Sequence, residues 1–585
     1  MTTLYFINEW TAWRFIWAAL LGRNPQAIAI EPLFPRMMVP LRKLVQWAVD
    51  SGRARHAADG CPELKYYRDF RVTIESLDIF GETEEKMNAF YNFDGLDRNV
   101  PEYAMACKLS VSNHTAVRQL PIMVLNHIAV KKGVGNIRLI GAQQAILNLY
   151  QEYFGELPTS FRAQETAKKI VNAVYAATIS SFGALRSLLR IRVGRGGPKN
   201  VFLMADFIGN AHDMRMFDEL DDGGDIVVMP RGYDMYSPET KARIARFGMC
   251  TKSDGFFSVI DGLKAAAEAF KDGLSLWRQC RDYPSDLFYR IACLPYHRLS
   301  MRAVFNRYHP KFHWGRDPYN PEHIIRRQEL NRIGGRAHSC LHGYGALCDA
   351  VPAIRYISFD RYYTFGKIIH EKLIGDTWAP DMDVVPTGSF GVTREKFADL
   401  KATPRSGMDI VIYTNYMAYL NDDKTVEIIR ALGETFTDRT VWLQVRGKVS
   451  KAGQSQAFIE RCSNGLANVI PTSDDIFDLI ARARYAFSDP STVILENAQF
   501  GVKAFMIDVL KDHKKSIYRN FPGLCVKTPA EAIARIKDIE GKAWTYPEGD
   551  DIADLVEIGD THFLDYVRTG MGLAPKDETY RKEVA

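Results

Sequence analysis

From residue 409 to residue 507 the chain alternates, without interruption, between short apolar runs and amphipathic stretches. The apolar runs fall at 409–413, 440–446 and 468–470. Helical spacing falls at 423–435, 454–463 and 474–482. Near-continuous apolar strands separated by helices cannot pair as hairpins, so they predict a parallel, doubly wound α/β sheet. The rhythm closes on residues 485–508, which read as strand, tight turn, short helix and strand. In the turn Asp489 is a natural N-cap, Pro490 suits the first helical position, and Gly501 ends the helix. A helix start lined by Ser488, Ser491 and Thr492 is suited to an anion. Thr492 and Glu496 are four residues apart, so they share a helix face about 6 Å apart along the axis.

Ligands of open parallel sheets bind at the carboxyl ends of strands. Here those ends carry Thr414-Asn415, Arg446-Gly-Lys448, Thr472-Ser473 and Ser488 to Thr492. Hydroxyls, amides and two cations therefore gather on one edge. Earlier in the chain, Ser339-Cys-Leu-His-Gly-Tyr-Gly places His342 at the end of an apolar run, before a glycine that lets the backbone turn. A histidine so presented is suited to general-base work near neutral pH, and equally to a structural role.

With 585 residues the chain exceeds one core, and 46% apolar with 25% charged residues is ordinary for a globular protein. A net charge of +5 does not single out nucleic acid. The nine cysteines show no CxxC pair or zinc-like spacing and read as thiols of a reducing compartment. The start lacks a basic n-region and no run of about 18 uncharged apolar residues occurs, so a cytoplasmic protein is expected. Strands at 3–7 and 27–31 flank a helix at 10–21. Further strands are expected at 136–142, 201–205 and 226–229. Helices are expected at 143–154, near 162–178, over much of 239–290 and at 321–333, with a short strand ending at His342. Residues 60–135 give no clear pattern, and Asp78 to Asp97 reads as an insertion. Loop-like composition after Gly391 places a boundary there. The expected division is residues 1–395, residues 405–560 and a polar tail, 561–585.

Taken in order, the His342-Gly343 strand end, the segment Val384-Val-Pro-Thr-Gly-Ser389, the linker and the Ser491-Thr492-x-x-x-Glu496 helix resemble the GT-B superfamily. The resemblance is to bacterial cell-surface polymer transferases: CDP-glycerol glycerophosphotransferases of teichoic acid synthesis and capsule glycosyltransferases. A more distant one is to UDP-N-acetylglucosamine 2-epimerases. It spans about residues 325–510; the first 320 residues share only the α/β rhythm. The resemblance implies two Rossmann-like domains facing each other across a cleft, here with an enlarged N-terminal domain. It implies transfer of a sugar from a nucleotide-activated donor to a polysaccharide or lipid-linked glycan, without metal or other cofactor. The alternatives it leaves are a CDP-polyol phosphotransferase, a nucleotide-sugar 2-epimerase and a non-catalytic partner of the same fold. His342 matches the family's catalytic base, Ser491 and Thr492 its phosphate-binding hydroxyls, Glu496 a carboxylate near the ribose, and Thr414 the first loop of the second domain. One departure stands out. Where the family carries a His-Pro, this chain reads Gln444-Val-Arg-Gly-Lys-Val. Either Arg446 or Lys448 supplies the charge, or the donor or the activity differs.

Asp381-Met-Asp383 is a D-x-D read as structural, and Asp221-Asp222 as a turn. Arg186, Arg190, Arg192, Arg195 and Lys199, interleaved with Leu185, Leu188, Leu189, Ile191 and Val193, form a basic, apolar stretch. So do residues 35–47. Either is suited to an anionic membrane at the inner face of the plasma membrane, or to an ordinary solvated face.

Overall fold

In the computed structural model, the structure describes residues 2–8, 11–30, 39–60, 84–131, 133–142, 144–157, 159–162, 165–193, 198–209, 211–316, 318–341, 354–402, 407–414, 422–445, 454–509, 516–547 and 550–576. The chain divides into two compact units. One comprises Met1–Lys199, Lys252–Tyr308 and Tyr319–Glu329; the other comprises Asn200–Thr251, His309–Pro318 and Leu330–Ala585.

The first unit holds a parallel sheet of β1 (Thr2–Ile7), β2 (Gln26–Ile30), β3 (Arg55–His56), β4 (Ile137–Ile140) and β5 (Thr159–Arg162), in the order β3-β2-β1-β4-β5. Tyr5 and Ile7 of β1 face one side, where the helices Ala12–Leu20 and Val39–Asp50 cover them. The hard-to-read residues after 83 are helical, with a helix of 26 residues at Pro101–Asn126. It buries Ser110, Ser112, His114 and Thr115, and His114 meets the buried Asp286 at 2.9 Å. The expected insertion from Asp78 begins outside the described residues, and its described part forms the helices Glu84–Tyr91 and Phe93–Asn99.

The second unit contains two parallel sheets. One combines β6 (Leu203–Phe207), β7 (Ile226–Pro230), β8 (Gly248–Met249), β9 (Phe312–Trp314), β10 (Arg336–Cys340), β11 (Arg361–Thr364) and β12 (Asp383–Pro386), in the order β12-β11-β10-β9-β6-β7-β8. The other combines β13 (Asp409–Thr414), β14 (Val441–Val445), β15 (Val469–Thr472), β16 (Ala483–Ser488), β17 (Lys503–Ile507) and β18 (Cys525–Val526), in the order β15-β14-β13-β16-β17-β18. Strands β13 to β17 fall close to where the alternation predicts them: the central strands β13, β16 and β17 are almost wholly buried, as apolar runs of a parallel sheet require.

Two expectations on organisation need correction. Residues 1–395 are not one domain: the first 199 residues build their own sheet, and a new sheet starts at Leu203. Nor is everything after 560 a tail. The helix Phe563–Gly570 returns to the seven-stranded sheet and buries Phe563, Leu564, Val567 and Met571 in a core with Trp314, Cys340 and Tyr363. Two ion pairs hold it there: the buried Arg568 reaches the exposed Asp222 at 2.6 and 2.8 Å, and Arg394 reaches Asp565 at 2.5 and 2.6 Å. The tail beyond 576 lies outside the described residues.

Candidate functional site

Both sheets of the second unit end in polar segments, and one connection ties them together. After β12 the chain turns through Thr387-Gly388-Ser389. Thr387 N and Gly388 N donate to the carbonyls of Thr364 and Phe365, so the turn follows the carboxyl edge of β11. Gly388 has φ +73°, and a Cβ there would lie 2.1 Å from Gln499 Nε2; only glycine fits without displacement. Ser389 N donates to Gln499 Oε1 at 2.8 Å, and Ser389 Oγ donates to Glu496 Oε1 at 3.0 Å. The Val-x-x-Thr-Gly-Ser and Ser-Thr-x-x-x-Glu segments, a hundred residues apart, therefore meet.

The helix they meet starts later than its sequence suggests. It spans Val493–Gln499, with Thr492 at the N-cap, and not Asp489 with Pro490. Asp489 is fully buried beside the end of β13, its N–H donating to Tyr413 O at 3.4 Å while Ser488 Oγ approaches its carboxylate at 3.4 Å. With that side chain turned into the core, the chain needs three more residues before helical geometry begins. Ser488 and Ser491 are buried; Thr492 and Glu496 are half-buried. Tyr518 donates to Ser491 O at 2.8 Å and Val493 N donates to Ser491 Oγ at 3.4 Å. Thr414 is buried at the end of β13, with Oγ1 3.4 Å from Gln444 O. Thr414, Ser488, Ser491, Thr492 and Glu496 thus belong to one sheet edge and the helix beside it. His342, Arg446 and Lys448 lie outside the described residues.

The other side of the same connection borders a cavity of about 250 Å³. Phe390 and Val392 line it on one side, Asp213 of the helix Ala211–Leu220 on another, and Trp314 and Cys340 at the ends of β9 and β10. Arg215 of the same helix donates to Gly391 O at 2.7 Å and fixes the connection over it. Burial pushes the Asp213 carboxyl up to about 6, against the pull of Arg316, with Asp206 raising it further. Arg316 Nε lies 2.9 Å from Asp213 Oδ2, an ion pair off the hydrogen-bond direction, and Asp213 Oδ2 has no aligned hydrogen-bond donor among the described residues. Trp314 Nε1 is likewise a buried donor with no partner among them. A cavity wall that carries the Asp213 carboxylate and the Trp314 indole N–H suits a hydroxyl-bearing ligand, which can both donate and accept. Burial pushes the Cys340 thiol up to about 12, so it is no nucleophile at neutral pH.

The sequence reading does not single out Asp213, Arg316 or Trp314. The available signal is weak: an acid in a helix's first turn and a cation just after a strand. The D-x-D aspartate Asp383 starts β12, at the opposite edge from the cavity, and pairs with Arg361 at 2.5 Å. Asp222, in a short turn, is held below the usual carboxylate range chiefly by its hydrogen bonds from Arg568.

Neither a family model nor a curated protein matches the chain. The solved structures it resembles are UDP-N-acetylglucosamine 2-epimerases and glycosyltransferases. S. aureus MnaA with UDP shares 9% identity over 64% of this chain and 99% of its own, at a TM-score of 0.37. The UDP-GlcNAc 2-epimerase of Neisseria meningitidis, bound to UDP-GlcNAc, shares 8% over 63% and 98%, at 0.38. CalG4, the calicheamicin glycosyltransferase, shares 14% over 64% and 100%, at 0.34. Likeness at this level transfers no residue assignment and no activity to this chain.

Proposed function

We propose that the chain is a glycosyltransferase that takes a sugar from a nucleotide-activated donor. The donor's phosphate lies against Ser488, Ser491 and Thr492, with Arg446 or Lys448 supplying positive charge. The acceptor hydroxyl enters the cavity. The observation that carries the proposal is the meeting of Ser389 with Glu496 beside a cavity lined by the buried carboxylate of Asp213. Transfer needs a base for the acceptor proton, a stabilised leaving phosphate and a closed site. Asp213, ionised above about pH 6, is suited to take the proton. His342, two residues beyond Cys340, is the base that the family resemblance suggests. The acceptor is a surface polysaccharide or lipid-linked glycan on the same resemblance.

Asp213→Asn and His342→Ala separate the two bases. Losing the base lowers turnover by about 10²–10⁴-fold and leaves donor-nucleotide binding intact. The variant that keeps binding and loses turnover identifies the base. If both variants retain full turnover, the proposed proton transfer is wrong.

A further inference from the structure

The helix Ala12–Leu20 buries Ala12, Phe15, Ile16, Ala18 and Ala19 against the first sheet. A surface helix ordinarily turns polar residues outward. This one turns out Trp13 and Trp17, 54% and 63% exposed, followed by Leu20 and Leu21, 46% and 60% exposed. Positions 13, 17, 20 and 21 follow helical spacing, so they share one face. The helix Val39–Asp50 packs beside it. Leu41, Val45 and Ala48 enter the same core as Tyr5 and Ile7, so both helices cover the same side of the sheet. Leu44 and Trp47 face outward, 40% and 42% exposed. Six large apolar side chains, three of them tryptophans, therefore share one outward face of the unit.

The charge around them is one-sided. Arg14, Arg23, Arg42, Lys43 and Arg53 are exposed on and beside these helices, and Arg53 lies over the Trp47 ring at 5.4 Å. The one carboxylate among residues 11–30 and 39–54 is Asp50, which accepts from Gln46 at 2.8 Å. We infer that this two-helix face docks the protein on an anionic lipid surface. Tryptophans sit at the headgroup level, apolar side chains enter the acyl boundary, and the cations meet lipid phosphates. A second copy of the chain fits less well. A two-fold contact sets the same patch against itself, bringing five cations to face five.

In the other stretch read as membrane-directed, Leu185, Leu188, Leu189 and Val193 are exposed, but one of its cations is taken up by the fold. Arg190 is buried and donates to the Lys252 carbonyl. It serves the fold and is withdrawn from any surface.

Co-sedimentation of the full chain with two kinds of vesicle tests the inference: equal parts phosphatidylglycerol and phosphatidylcholine, and phosphatidylcholine alone. Binding is expected to the anionic vesicles, weakened by salt. Trp13→Glu/Trp17→Glu/Trp47→Glu and, separately, Arg42→Glu/Lys43→Glu are each expected to lower it about tenfold or more. All of these side chains are exposed, and unchanged circular dichroism and melting verify folding. No binding of the wild type to anionic vesicles overturns the inference, as does equal binding by both folded variants. A wild-type dimer that the tryptophan variant breaks, with vesicle binding unchanged, also overturns it and assigns the face to self-association.

Discussion

Arg394 joins three separate stretches of the second unit. Its Nε lies 3.1 Å from both Glu219 carboxylate oxygens, and its two terminal nitrogens lie 2.5 and 2.6 Å from those of Asp565. The guanidinium is 8% exposed, while the carboxylates are 20% and 15% exposed. Arg394→Ala leaves two carboxylates facing each other without a cation. Breaking a buried pair costs about 3–5 kcal/mol, and the partial exposure of the acids sets the expectation at the lower end, about 3 kcal/mol. In a chain of two units the loss need not appear as global unfolding. It falls on the helix Phe563–Gly570, which Asp565 anchors. Hydrogen exchange reads it locally: amides such as Met571 N, bonded to Val567 O, are expected to exchange about a hundredfold faster. Arg394→Lys keeps the charge, loses the fork and is expected to fall between. Exchange accelerated less than threefold or so would refute the argument, leaving Phe563, Leu564, Val567 and Met571 to hold the helix by apolar burial alone.

Three further outcomes follow. The raised carboxyl of Asp213 contributes stability below its unfolded value near 3.8, and that contribution is lost as pH rises through about 6; Asp213→Asn is therefore expected to melt higher than wild type above pH 6, with the difference vanishing toward pH 4. His562 caps the last helix, its Nε2 donating to Val392 O, and burial lowers it to about 4, while burial lowers His338 to about 3. Their contribution is present above pH 6.5 and is lost as pH falls through those values, so melting scans are expected to drop across that window and to drop less in His562→Asn. Gly388→Ala forces a Cβ toward Gln499 at positive φ, and is expected to weaken nucleotide binding if the Thr387–Ser389 turn shapes the site; unchanged affinity in a titration separates the turn from the site.

The six-stranded sheet was legible because its strands are apolar runs on both faces and its helices keep a single period. Of the seven-stranded sheet only β6, β7 and β10 were legible. Phe312-His-Trp314, Arg361-Tyr-Tyr-Thr364 and Asp383-Val-Val-Pro386 are three or four residues long and mix charges with rings, too short to show a period. The Pro101–Asn126 helix was hidden by its buried Ser110, Ser112, His114 and Thr115 and by the interior Pro121, which blur its apolar face. At the site, the turn at 488–492 was readable from local spacing, but its helix start was not, because Asp489 is buried and Thr492 takes the N-cap. Asp213 was not, since an acid in a helix's first turn ordinarily meets solvent. Only packing brings Arg316, Trp314 and Cys340 around it from distant strand ends.

Nucleotide binding is the central claim, and thermal melting of the full chain against CMP, CDP, UDP and GDP tests it most directly. One of the four is expected to raise the melting temperature saturably. At a hundred times its Kd the gain corresponds to about 2.7 kcal/mol. Ser491→Ala/Thr492→Val is expected to shift the titration to higher nucleotide concentration. No shift from any of the four nucleotides would contradict the account, as would a shift unaltered in that variant.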